Sequence, residues 1–248
     1  MALSANSIIH YTSEIEILLN ILKSKGFRFS YCSEKITTRG GKSFSAAIAM
    51  VSFCDIPLSD YKKHFYNKKN TGDLGYYGDY GIGLNKVWAR KNGLNPVFYI
   101  EYNSKVSTSL RKDFESFNRV REQISVEPNH PILYAKNYEG ELFRGGKRVK
   151  KDYRYYDERE WRLVPDYTQI NQAIVLDDVR YQRRKEFFKS TMQQSLLSFD
   201  LSDISYIIVK TENEVIRIYE TLSRVFEKEI ERLTPIRVLT SEQIISDF

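Results

Sequence analysis

The distribution of apolar and polar positions divides the chain into short segments of changing period. Residues 7–12, SIIHYT, are β-branched and aromatic and predict a strand. Ile15, Leu18, Leu19 and Leu22 then recur at helical spacing, with Ser13 and Glu16 as a capping box and Gly26 as the stop. FRFSYC alternates and predicts a second strand, and residues 33–45 predict a polar loop. AIAMVSFCDIPLS is a buried strand closed by Pro57. Beyond a basic stretch and a glycine–tyrosine stretch, Tyr80 to Leu84 predicts a strand. Asn85 caps a short helix through Trp88 that Gly93 ends. NPVFYIEY predicts a strand and residues 107–124 a helix. From Glu139 to Pro165 the pattern is strand, Gly-Gly turn, basic strand, then YYDEREWRLV as a further strand. Residues 178–198 predict a helix and DISYIIVK a strand. Thr211 and Glu214 cap an amphipathic helix to about Leu233, and IRVLT and a last short helix close the chain. The fold class expected is α+β in one domain: a β-rich body over 7–165, with a C-terminal α/β portion over 166–248 packed on it.

Composition narrows the picture only a little. A chain of 248 residues with 42% hydrophobic and 14% aromatic content can bury a sizeable core. A net charge of +6 favours an anionic partner (nucleic acid, a phosphate-bearing cofactor or an acidic protein) without choosing among them. The two cysteines, Cys32 and Cys54, have no metal-ligand spacing, so no metal and a reduced, cytoplasmic protein are expected. The N-terminus does not read as a secretory signal, and no apolar run approaches the ~20 residues of a membrane span. The tail of RGGKS suggests a phosphate loop, but Ile36 stands where that motif needs glycine, and a strand follows instead of a helix. Neither H-E-x-x-H nor G-x-S-x-G occurs, which argues against a zinc or a serine hydrolase.

Four features carry candidate chemistry. On a strand, Tyr156, Glu158, Glu160, Arg162 and Val164 share one face, which sets the two carboxylates about 7 Å apart with Arg162 placed to pair with Glu160. Such a set can hold an ionised acid in a cleft, or it can be a solvated face of cross-strand ion pairs. His10 and Thr12 lie on one side of the first strand and can bond sugar hydroxyls or phosphates, or His10 can be a core residue satisfied by backbone. GYYGDYGIG combines close backbone approach with stacking rings, as in a ligand-covering loop or an ordinary turn. Finally, Arg144, Lys147, Arg148, Lys150, Lys151 and Arg154 interleave with aromatics, as on a nucleic-acid-binding surface or on a soluble hairpin whose lysines block aggregation.

In order along the chain, IIHYTS, MVSFCDIPLSDYKKH, YGDYGIGLNKVWARKNGLNPVFYI and YYDEREWRLVP resemble the AbiGi family of bacterial abortive-infection proteins. That resemblance implies phage defence and an antitoxin with a toxin partner. A fainter likeness, to ADP-ribosyltransferases of the DarT type, rests on an H-x-T strand, a following helix, a serine-bearing strand and a late E-x-E strand. It implies a split β-body holding NAD as substrate, with RNA, DNA or a protein as acceptor. By position it would place His10 and Thr12 at the nicotinamide ribose, Ser52 on the second core strand and Tyr80 against nicotinamide. Glu160 would be the catalytic acid, with Glu158 as its companion and Arg162 keeping it ionised. Such an acid would stabilise an oxocarbenium-like state as the glycosidic bond breaks.

Overall fold

A computed structural model describes residues 5–61, 78–121, 123–144, 147–192, 195–227 and 236–247. The element order begins with strand β1 (Ser7–Thr12), helix α1 (Ile15–Ser24), β2 (Gly26–Arg28), β3 (Ser30–Thr37), β4 (Ser43–Cys54), β5 (Tyr80–Asn85) and α2 (Lys86–Lys91). It continues through β6 (Asn95–Pro96), β7 (Phe98–Ile100), α3 (Lys105–Ser116), β8 (Arg119–Val120), β9 (Gln123–Ile124), β10 (Ala135–Asn137), β11 (Glu139–Arg144) and β12 (Lys147–Arg154). After β13 (Glu160–Leu163) come α4 (Tyr167–Ile170), β14 (Val175–Asp177), α5 (Asp178–Arg183), α6 (Lys185–Thr191), β15 (Leu196–Ser198), β16 (Ile204–Val209), α7 (Glu212–Val225), β17 (Arg237–Thr240) and α8 (Ser241–Asp247).

The expected α+β class holds, with one large mixed sheet at its centre. Its main path runs β17, β16, β5, β1, β4, β14, β9, β8. The twelve residues of β4 are the spine. Beside it, β3 pairs along 43–50, β1 meets Cys54, and β13 pairs antiparallel along Val51 to Cys54. Ala46, Ala47 and Ala49 are buried in β4, so neighbouring layers approach its backbone closely. The C-terminal β16–α7–β17 unit is a parallel crossover that joins the same sheet through β5, so the α/β portion extends the body's sheet.

Register assigns every side chain a face. Ile9, Cys54 and Glu160 stand opposite one another across three strands, as do Ser52 and Arg162. These five lie on one face, here the front. Ile8, His10, Phe53 and Trp161 lie on the back. There the main core gathers, with Leu18 and Leu22 of α1, Trp88 of α2, and Ile218 and Leu222 of α7 packed against Ile82, Leu84 and Ile207.

Several local expectations are corrected. Residues 33–37 continue β3 as an edge-to-edge ladder with β4, and only Arg39–Gly41 turn, so most of the expected polar loop is strand. The N-cap of α1 is Glu14, and the left-handed residue that ends it is Lys25. Gly26 instead allows β15 to approach, because a Cβ there would lie 2.9 Å from the Leu196 Cβ. The helix expected to Ile124 stops at Ser116, where Phe117 turns extended, and β8 and β9 follow. The segment 178–198 breaks at Arg184 into two helices and ends in β15. In contrast, Asn85 accepts from the Trp88 N–H at 2.8 Å as its cap role requires, and the Thr211–Glu214 capping box is formed.

Candidate functional site

YYDEREWRLV is not one strand. Residues Tyr155–Glu158 form a 3₁₀ turn, Arg159 takes the left-handed conformation (φ 44°), and only then does β13 begin. This corrects the expected sharing of a strand face by Glu158 and Glu160. The turn nevertheless returns Glu158 to Glu160 through a common partner. The Lys136 ammonium, on β10, donates to Glu158 Oε2 and to Glu160 Oε2 at 2.9 Å each.

Arg162, wholly buried, completes the cluster. Its Nε donates to Glu160 Oε1 at 2.8 Å, Nη2 to Glu34 Oε1 at 3.0 Å, and Nη1 to the Leu133 carbonyl at 3.1 Å. The Tyr99 hydroxyl accepts from the Glu160 backbone N–H at 2.7 Å, and the Lys136 ammonium lies 4.9 Å above the Tyr155 ring. Burial alone would raise the Glu160 pKa, but the Arg162 guanidinium and the Lys136 ammonium outweigh it and hold the carboxyl at about 2. Lys136 is pulled the other way by burial, yet its carboxylate neighbours keep it well above the usual lysine value. The expected Arg162–Glu160 pairing is therefore present, within a cluster that joins two cations to three carboxylates among the described residues. Burial raises the Cys32 thiol beside it to about 11, so this thiol stays protonated; neither Cys32 nor Cys54 forms a disulfide.

The other residues proposed for an NAD cleft do not converge here. His10 projects from the back of the sheet, among the rings of Phe27 (5.0 Å between centroids) and Phe53 (5.5 Å). Its Nδ1 donates to the Ser52 carbonyl at 2.9 Å, and burial lowers its pKa, so the ring is a neutral core residue. Thr12 spends its hydroxyl on the Glu14 carbonyl at 2.9 Å, beside the start of α1. Tyr80 donates to Glu214 Oε1 at 2.8 Å and anchors β5 to α7. Ser52 is on the front with Arg162, but its register neighbour is that closed ion cluster. One imidazole and one acid that were to face a single dinucleotide are separated by the thickness of the sheet.

The glycine–tyrosine stretch is described only from Gly78. There the conformation is left-handed (φ 110°), and a Cβ would lie 1.8 Å from the Thr12 carbonyl oxygen, so the glycine serves a close strand crossing. His64 and the rest of the basic stretch at 60–70 beyond Tyr61, with the start of the glycine–tyrosine stretch, lie outside the described residues.

The basic run forms the β11–β12 hairpin. The side chains of Arg144 and Lys147 lie outside the described residues. Arg148 pairs with Glu141 at 2.7 Å, and Lys151 is exposed. Lys150 and Arg154 face a cleft of about 610 Å³ between the hairpin and the 155–159 turn. Arg159 adds a third cation, against four carboxylates, Asp60, Glu139, Asp152 and Asp157. Its aromatic wall is Tyr153 and Tyr156, the latter stacked on Tyr138 at 5.3 Å and edge-on to Tyr99 at 5.3 Å. Among the described residues no three His, Cys, Asp or Glu side chains are grouped to hold a metal ion, and no helix is long and apolar enough to cross a membrane.

Sequence reasoning missed Lys136 and Glu34, which hold the ion cluster from other strands and carry no local signal. It also missed the arginines at 119, 121 and 180, hidden inside segments read as helix.

Comparison with known proteins agrees with the first of the two resemblances. Residues 25–210 match the family described as "Putative abortive phage resistance protein AbiGi, antitoxin". An abortive phage resistance protein AbiGi from Lactococcus lactis subsp. cremoris is 31% identical over 181 residues, covering 65% of this chain and 71% of the relative. No solved structure matches, and the likeness to ADP-ribosyltransferases finds no counterpart.

Proposed function

The chain belongs to the AbiGi family of anti-phage defence proteins, and on that premise we propose that it acts as an antitoxin by binding a toxin protein. The single observation that carries a binding role over a transferase role is the placement of His10 and Glu160 on opposite faces of the sheet. In the transferase reading, a carboxylate beside the ribose stabilises the positive charge that develops as the bond to nicotinamide breaks. Glu160 instead has both oxygens engaged by Arg162 and Lys136 and is buried.

The docking surface is the hairpin cleft. Its charges are mixed, three cations to four carboxylates, which would repel as well as attract a polyanion. Tyrosine and arginine are the residue types that protein interfaces favour, and interleaved charges of both signs set the register of a protein partner. These features support a protein partner over RNA or DNA, whose recognition the basic run had suggested.

The test pairs two measurements on the full chain. Co-expression with a toxin identified by co-purification with the tagged chain should restore growth, and a Lys150→Glu/Arg154→Glu variant should fail to do so while keeping its melting temperature. Adding NAD should leave the melting temperature unchanged, since only a ligand of the folded state raises it. A rise with NAD, or NAD-dependent labelling of a macromolecule, would restore the transferase.

A further inference from the structure

A second recess lies far along the sheet, at its β8 edge, and its chemistry differs from that of the hairpin cleft. It measures about 370 Å³ and is lined by Arg119, Arg121, Gln123, Ile124, Asp177 and Arg180. Three guanidiniums therefore face one carboxylate among the described lining residues. That carboxylate is already engaged: Asp177 Oδ1 caps α5 by accepting from the Arg180 N–H at 3.1 Å, and Oδ2 lies 3.9 Å from Arg119 Nη1.

Contacts to neighbouring groups place two of the three cations. The Arg119 guanidinium rests 5.0 Å from the centre of the Phe114 ring on α3, a cation–π contact. Arg180 donates through Nη1 to the Arg121 carbonyl. Arg121 itself sits at φ 55°, a left-handed conformation that costs a β-carbon residue energy and is retained where the surroundings require it. Gln123 is fixed by the pairing of β9 with β14 at Leu176, the residue before Asp177. Like charges gathered this way repel one another unless an anion sits between them.

We propose that this recess binds a phosphate group of a small ligand, a phosphomonoester or polyphosphate such as the tail of a nucleotide. Planar guanidinium forks match phosphate oxygens two at a time, and three of them suit a group carrying two or more negative charges. The recess is within the size range of small-molecule sites and too small for a folded partner. The site is independent of the hairpin cleft and would be present whether or not that cleft holds a toxin.

The probes are inorganic pyrophosphate, ATP, adenosine and a ten-nucleotide uridine RNA, each titrated calorimetrically against the full chain at low salt. Pyrophosphate and ATP should bind saturably and adenosine should not. ATP binding more tightly than pyrophosphate identifies a nucleotide, and equal affinity identifies the phosphates alone. Arg119→Gln and Arg180→Gln should each weaken binding by about tenfold, the loss expected for one charge-assisted bond. Neither should change the unliganded melting temperature much, because Arg119 is 42% exposed and Arg180 is exposed. Lys150→Glu should leave this binding untouched. Absence of saturable binding, equal binding by the variants, or binding of the RNA alone would overturn the proposal.

Discussion

Replacing Arg162 by methionine tests whether the charges beside Glu160 are a structural unit. Methionine fills much of the same apolar volume but supplies none of the three donors that reach Glu160 at 2.8 Å, Glu34 at 3.0 Å and the Leu133 carbonyl at 3.1 Å. Glu160, buried, would retain only Lys136, and Glu34 would lose the guanidinium it accepts from. Removing one partner of a buried ion pair costs about 3–5 kcal/mol, because the remaining charge is left without solvent or counter-charge. Domains are stable by only about 5–15 kcal/mol, so the loss should be about a fifth or more of the total. For a chain of this length that corresponds to a fall in melting temperature of roughly 6–20 °C. Urea unfolding followed by the fluorescence of Trp88 and Trp161 reads it directly. Glu160→Gln should also destabilise, and the double variant should lose less than the sum of the two by at least ~1 kcal/mol, since each removes what the other lacks. A loss below ~1 kcal/mol for Arg162→Met, or simple additivity, would refute the picture. So would a Glu160→Gln protein of unchanged or higher stability, the behaviour expected of a strained catalytic acid.

Three further outcomes follow from the same contacts. The Glu160 pKa is held at about 2 against an ordinary 4.5, so its contribution to stability is complete above pH 4.5 and is lost as pH falls from there toward 2; Arg162→Met should flatten this part of an acid-unfolding curve. His10, whose pKa is lowered by burial, is neutral in the fold, so protonation of the unfolded chain below pH 6.5 draws stability away as pH falls. His10→Phe should remove that slope, seen by melting at pH 5.5 and 7.5, while leaving any partner binding intact. Gly78→Ala places a Cβ 1.8 Å from the Thr12 carbonyl oxygen at a left-handed φ of 110°, so it should destabilise by about 3 kcal/mol or more or fail to give soluble protein; a mild effect would mean the β1–β5 crossing is misplaced.

Legibility in the sequence followed the range of each interaction. The Glu160–Arg162 pair could be read because two residues on one strand share a face by alternation alone. The Thr211–Glu214 cap and the Asn85 cap are likewise three-residue relations. Lys136 and Glu34 reach the same cluster from 24 and 128 residues away, by contacts that only the register of β4 with β3 and the placement of β10 create. His10 shows the limit most sharply. Its strand was clear, but which face it occupied depended on one register position, Ile9 opposite Cys54, and a one-residue difference there would have put the imidazole beside Glu160. The arginine recess was hidden because Val120 and Ile124 keep helical spacing across two strands of two residues each. Glu158 was misplaced because left-handed Arg159 reverses the chain where alternation assumed an extended one.

The most direct test of action by docking is the affinity of the purified chain for the toxin that co-purifies with it, measured by calorimetry for wild type and for Lys150→Glu/Arg154→Glu. Loss of two cations from the cleft should weaken binding by tenfold or more, with Glu160→Asp, a change inside the closed ion cluster, binding as wild type once folded. Equal affinity of the cleft variant and wild type, or a protein that ignores the toxin and binds NAD, would contradict it.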